Sequence, residues 1–340
     1  MSETRYQVYD QMKMMAILLV IAGHCLNMYG ADGAIPVLNG SRFLAALGSV
    51  VYRFHIPTLF FVSGALFAVG LKKGKYGVFL PFIKGKRGRL LIPYLFFAVF
   101  AVLPTLLICG LLPVSRVYLF VPYLISGYQV RHLWYLYCLF LVFALMWPFK
   151  RFLNRENALK VLLLSFVVSV AVRATGFDFL KYFQIGNTAY YQFFFVCGVL
   201  CEDRFDAIRA FLLKRKLIAL IAFGLLLLSL FFDFYVFTGY LYAFAGIVLI
   251  ICFSCFSAEG SPRRKTGINA VLVRDSYGVY LFHAMLVYLI YYAFSSVNIS
   301  PYILAPVAAA VSLLVSLLLV KVLRCLGLEF IIGERKKPHE

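Results

Sequence analysis

The chain has 340 residues, 63% of them hydrophobic and 14% charged, with a mean hydropathy of +0.90 and a formal net charge of +19. A soluble domain carries nearer a quarter charged residues, so that class is excluded. A β-barrel is excluded too, because it spells itself in short alternating segments, whereas the apolar runs here are long and continuous. The composition predicts an all-α polytopic transmembrane helix bundle.

Apolar runs of about 20 residues fall at roughly 12–29, 43–71, 90–109, 132–148, 159–175, 186–201, 217–236, 238–257, 276–294 and 301–323, about ten spans. With the N-terminus inside, 27 of the 33 basic residues lie in cytoplasmic segments, including 263–265 and 335–337. The other six are Arg42, Arg53, Arg116, Arg131, Arg173 and Lys181. The positive-inside rule gives that asymmetry when both termini are cytoplasmic. The positive charge is therefore topology, and no nucleic-acid partner is read from it. The eight cysteines sit almost wholly in spans and read as small reduced core residues. Cys252-x-x-Cys255 and Cys197-x3-Cys201 lack a second pair of ligand spacing, so no metal site is expected. The first span exceeds a signal-peptide core and reads as an anchor.

In chain order, span one is D-Q-M-K-M-M-A-I-L-L-V-I-A-G-H-C-L-N, residues 10–27. Eleven residues separate Lys13 from His24, three helical turns plus about 20°, so both share a face about 16 Å apart. Asp10 and Asn27 extend that stripe by one turn at each end. A polar stripe reaching mid-membrane is costly against lipid, so it should face protein or a wet cavity. The loop 30–41 reads as a plain turn. Span two holds R-F-H-I-P-T-L-F-F-V-S-G, residues 53–64. Pro57 predicts a kink or break at Ile56, with Arg53 and His55 beside the cavity of His24. Ser63-Gly64 reads as a close-packing pair.

Residues 72–89 carry seven positive charges, suited to anionic lipid. They suit equally a phosphate site built from Lys86, Arg87 and Arg89. Pro93 follows in R-L-L-I-P-Y. The segment 110–131 reads as partly interfacial. It leads to R-H-L-W-Y-L, where Trp134 fits an aromatic belt and, with His132, an outer sugar-binding mouth. Residues 202–216 read as a surface-lying amphipathic helix, and Asp233 as an interfacial charge. In D-S-Y-G-V-Y-L-F-H, residues 275–283, Tyr277, Tyr280 and His283 are spaced by three along roughly one face. His339 in the polar tail carries no signal.

Five of these motifs also resemble a known group, the integral-membrane acyltransferase 3 family. They are D-x-x-K-x10-H (Asp10, Lys13, His24), F-H-I-P-x-x-F-F-V-S-G at 54–64, R-L-L-I-P-Y at 89–94, H-L-W-Y-L at 132–136 and Y-G-V-Y-L-F-H at 277–283. They run in the family's order over about 10–325, which makes 1–340 one membrane domain with 326–340 as a cytoplasmic tail. The resemblance implies Arg where this chain has Lys13, a departure similar to the branch of fucose 4-O-acetylases. Lys keeps the charge and loses the bidentate fork. Some members carry an extracytoplasmic hydrolase-like domain, which is not seen here, so transfer is expected to be completed in the membrane part or handed on to a partner.

The residues and the resemblance together predict an O-acyltransferase of a bacterial cytoplasmic (inner) membrane, with no bound cofactor. It would move an acyl group, acetyl by expectation, from acyl-CoA to a hydroxyl of a cell-envelope saccharide. Imidazole suits that proton transfer, so His24 is the expected general base or transient acyl carrier. Asp10 would orient Lys13, which with Lys86, Arg87 and Arg89 would hold donor phosphates. Arg53, His55, His132, Trp134, Tyr280 and His283 would shape the acceptor side. The rival expectation is an exporter of an envelope polysaccharide, against which stands the lack of matching interrupted spans in two halves.

Overall fold

The computed structural model describes residues 3–31, 33–154, 156–232, 237–259 and 267–334. Arg155, Asp233, the basic runs at 263–265 and 335–337, and His339 lie outside the described residues. Among those described there is no strand, and the chain is all-α. Its helices are α1 (Glu3–Asn27), α2 (Arg42–Lys72), α3 (Phe79–Ile108), α4 (Phe120–Ser126), α5 (Trp134–Met146) and α6 (Ala158–Thr175). They continue as α7 (Ile185–Glu202), α8 (Phe205–Lys214), α9 (Leu217–Leu228), α10 (Phe237–Glu259), α11 (Ile268–Ala293) and α12 (Pro301–Cys325).

Seven helical runs among the described residues are long and apolar enough to cross a membrane: α2, α3, Val114–Met146, α6, α10, α11 and α12. This is a multi-pass membrane protein. Three further expected spans are also helical, as α1, α7 and α9, yet fall short of that measure. For α1 the reason is the polar stripe itself, and α9 has only 12 residues.

Helix α2 is the most enclosed span, packed against α1, α7 and α10. Its closest neighbour is α7. A Cβ on Gly64 would run into the Phe195 carbonyl, and one on Gly198 would run into that of Phe61. The two backbones touch there, as small residues allow where lipid supplies no hydrophobic drive. Of the kink or break expected at Pro57, the break does not occur, and α2 runs through it as one helix. Proline removes one ladder bond, but the neighbouring turn is tied by Thr58 Oγ1 donating to the Phe54 carbonyl (2.8 Å). In α3 the prolines are absorbed differently. Wider π-turns at Arg87–Leu91 and Ala98–Val102 precede Pro93 and Pro104, and such turns commonly mark functional helices.

Charged contacts define the basic end of the bundle. Fully buried Glu202 takes Arg5 (2.8 Å), Lys72 (3.6 Å) and the Tyr9 hydroxyl, joining α1, α2 and α7. Helix α8 lies on the surface with Phe205 and Leu212 turned inward, and its Asp206 pairs with Arg5. At the opposite end, Asn39 donates to Asn298 (2.6 Å) and to the Ile299 carbonyl (2.9 Å). The loop after α1 is more than a plain turn. Met28 and Ile35 are buried against Val287, Tyr291 and Leu304, closing that end over α1.

Candidate active site

Helix α1 stops inside the bundle. His24 is three residues from its end, yet His283 beside it has ten more residues of α11 beyond it, about 15 Å. The unpaired carbonyls of such a buried helix end need donors. The Tyr291 hydroxyl supplies one to Cys25 (2.9 Å). His24 is thereby held at depth although it sits near a helix terminus.

Four histidines from different elements gather there. The His24 ring centroid lies 5.1 Å from His283 and 6.5 Å from His132, and His132 lies 5.2 Å from His283. His55 joins through Tyr52, whose ring is 5.0 Å from His55 and 6.1 Å from His24. Backbone carbonyls accept only, so they assign the ring hydrogens. His55 Nδ1 donates to Val51 (2.7 Å), His283 Nδ1 to Tyr280 (2.7 Å) and His132 Nε2 to Leu281 (3.2 Å). The opposite nitrogens, His283 Nε2 and His132 Nδ1, are then bare lone pairs. Both are buried and, among the described residues, without a hydrogen-bond partner. Buried polar atoms left open in this way call for an explanation, and a substrate donor is one.

A second feature approaches from the basic end. A cavity of about 300 Å³ is lined by Lys13, Lys73, Lys75, Lys86 and Arg89, and among the described residues no acidic side chain lines it. The Lys86 ammonium rests 3.5 Å over the Phe143 ring. The Arg89 carbonyl accepts from the Tyr277 hydroxyl (2.6 Å), which ties the π-turn of α3 to α11. Inward the cavity reaches Ser63, Tyr135 and Tyr280 and stops short of His24. Tyr280 is the wall. Its hydroxyl donates to the His132 carbonyl, and its ring lies 5.6 Å from His132 and 5.7 Å from His283.

The residues singled out from sequence are thus divided between the two features. His24, His55, His132 and His283 meet, and Tyr280 borders them. Lys13, Lys86 and Arg89 meet in the cavity, whereas Arg87 does not line it. Asp10 lies 4.0 Å from the Lys13 ammonium and stands outside the lining. The Arg53 guanidinium donates to the Ser229 carbonyl (3.0 Å) and lies 5.2 Å from the Tyr242 ring centre. Trp134 packs on Tyr191 (5.5 Å) within an aromatic cluster that also holds Phe60 and Tyr135. Lys73, Lys75, Tyr135 and Tyr52 were not singled out. Tyr52 was findable, since it precedes His55 by three residues on the same helix face.

A family model described as an acyltransferase domain matches residues 6–321. No curated protein matches the chain, and no solved structure does. Since the matched region runs through all five sequence motifs and both halves of the site, this chain belongs to the acyltransferase 3 family and is a membrane acyltransferase.

Proposed function

We propose that the protein transfers an acyl group, acetyl in the simplest case, from acyl-CoA to a hydroxyl of a cell-envelope saccharide in a bacterial cytoplasmic membrane. The observation that carries this reading is the five-cation cavity ending one tyrosine away from the histidine cluster. Coenzyme A brings several phosphates, for which Lys and Arg are the fitting partners. Lys13, Lys73, Lys75, Lys86 and Arg89 hold the phosphorylated end, and Asp10 orients Lys13. The thioester arm points along Ser63 and Tyr135 toward Tyr280.

His24 removes the proton from the acceptor hydroxyl. The oxygen attacks the thioester carbonyl, the C–S bond breaks, and the thiolate leaves with the proton from His24. Products are the O-acyl ester and free CoA thiol. His132, His283 and Tyr280 shape the acceptor side, with the bare nitrogens accepting from its hydroxyls. Purified protein in native-lipid nanodiscs, given radiolabelled acetyl-CoA, should move label to an endogenous glycan, and His24→Ala should abolish transfer at unchanged expression. Full turnover by that variant removes the mechanism. Glycan flux across proteoliposomes without covalent change supports an exporter instead.

A further inference from the structure

Resting on that reading, the geometry points to Tyr52 as the positioning residue of His24: its hydroxyl holds Nδ1–H and leaves Nε2 as the reacting nitrogen. The Tyr52 hydroxyl lies 3.3 Å from His24 Nδ1. One of the two ring nitrogens is therefore already engaged, and proton removal from an acceptor falls to Nε2. A neutral imidazole carries one hydrogen. For Nε2 to be bare, that hydrogen sits on Nδ1 and the phenol oxygen accepts it. This is the role that a third group plays for the histidine of hydrolase triads, where the wrong tautomer costs about 10⁴-fold.

Two independent features seat the phenol. The first is Gly23, the residue before His24. A Cβ there would stand 3.2 Å from Tyr52 Cε2 and 3.3 Å from Val51 Cγ1, so the missing side chain forms the notch in which the ring lies. The second is His55, whose ring meets that of Tyr52 edge-on at 5.0 Å and 83°. His55 is itself locked by its Nδ1 bond to the Val51 carbonyl (2.7 Å). Helix α2 thus presents a braced phenol, at a place where its through-running turn across Pro57 fixes the register. His55 then acts through Tyr52 rather than by touching the acceptor.

The chain has five histidines, few enough for ¹⁵N-imidazole spectra of the selectively labelled wild-type protein to resolve the His24 tautomer. The expected result is Nδ1–H. A His24 signal with hydrogen on Nε2 in the wild type overturns the assignment without any variant. Tyr52→Phe keeps the ring and removes the oxygen, so the fold should hold. It should lower kcat for label transfer from acetyl-CoA by roughly 10²-fold, within what a positioned proton-transfer group contributes. KM for acetyl-CoA should stay unchanged, and the His24 tautomer preference should be lost. Gly23→Ala should lower kcat less, by roughly 10-fold, because the ring is only pushed. An unchanged kcat in Tyr52→Phe overturns the inference, and so does a rise in KM alone. If His24→Ala is also fully active, the acyltransfer mechanism falls with it. If His24→Ala is dead and Tyr52→Phe is normal, only the role of Tyr52 falls.

Discussion

At the residue scale, the inner cavity gathers five cations and, among the described residues, no carboxylate. Lys13 has Asp10 beside it at 4.0 Å, just outside the lining, and no carboxylate stands among the described lining residues to compete for a phosphorylated ligand. Charge-assisted bonds to phosphate are worth enough that Arg89→Gln should raise KM for acetyl-CoA by about tenfold with kcat held. The same variant should treat acetyl-pantetheine, which lacks the nucleotide phosphates, like the wild type; a KM rise on that substrate too would refute the phosphate role. The residues legible in sequence were those whose polarity is costly in a span, His24 and Lys13 above all. Tyr52 escaped because an aromatic in an apolar run reads as core. Arg53 stands two residues before His55, about 200° round the helix, and its guanidinium meets the Ser229 carbonyl and the Tyr242 ring.

Between residues and the whole chain stand the helix contacts. Pro57, read as a kink or break, proved compatible with an unbroken α2, in which side chains tie the carbonyls around it. No local rule reports that compensation. The Ser63-Gly64 pair was legible as a packing site, but its counterpart Gly198 was not, since nothing in sequence says which helices touch. Gly198→Ala puts a methyl against the Phe61 carbonyl and should cost about 1–3 kcal/mol as overpacking, read as a lower Tm in detergent. A Tm equal to the wild type would mean the helices part readily. Glu202 was hidden for a different reason, as an acid at a helix end reads as solvated. Buried beneath Arg5, Lys72 and Tyr9, it should lose about 3 kcal/mol on change to Gln, because two cations are left under-compensated. Thermal unfolding of Glu202→Gln beside the wild type checks this, and a stable variant would show that Asp203, 2.9 Å from the Lys72 ammonium, and Asp206 suffice.

For the molecule as a whole, the contacts separate two ends. Arg5, Lys72 and Glu202 mark one, and Asn39 and Asn298 the other. The all-α, membrane-spanning character was legible from composition, since no other class combines this length with so few charges. How the chain closes its far end was not, because the cap built by Met28 and Ile35 depends on apolar contacts from distant helices. Lys75→Cys should react with an impermeant maleimide only from the cytoplasmic face, and Asn298→Cys only from the opposite face. Labelling of both from one side would invert or break the proposed topology. The touching backbones at Gly64 and Gly198 bear on motion as well. Where no side chain separates the two backbones, α2 and α7 have little to compress, and α2 also carries Tyr52 and His55. On the proposed reading, a thioester coming up the cavity meets Tyr280 next, and its way to the histidines opens where that one phenol lets go of a peptide oxygen.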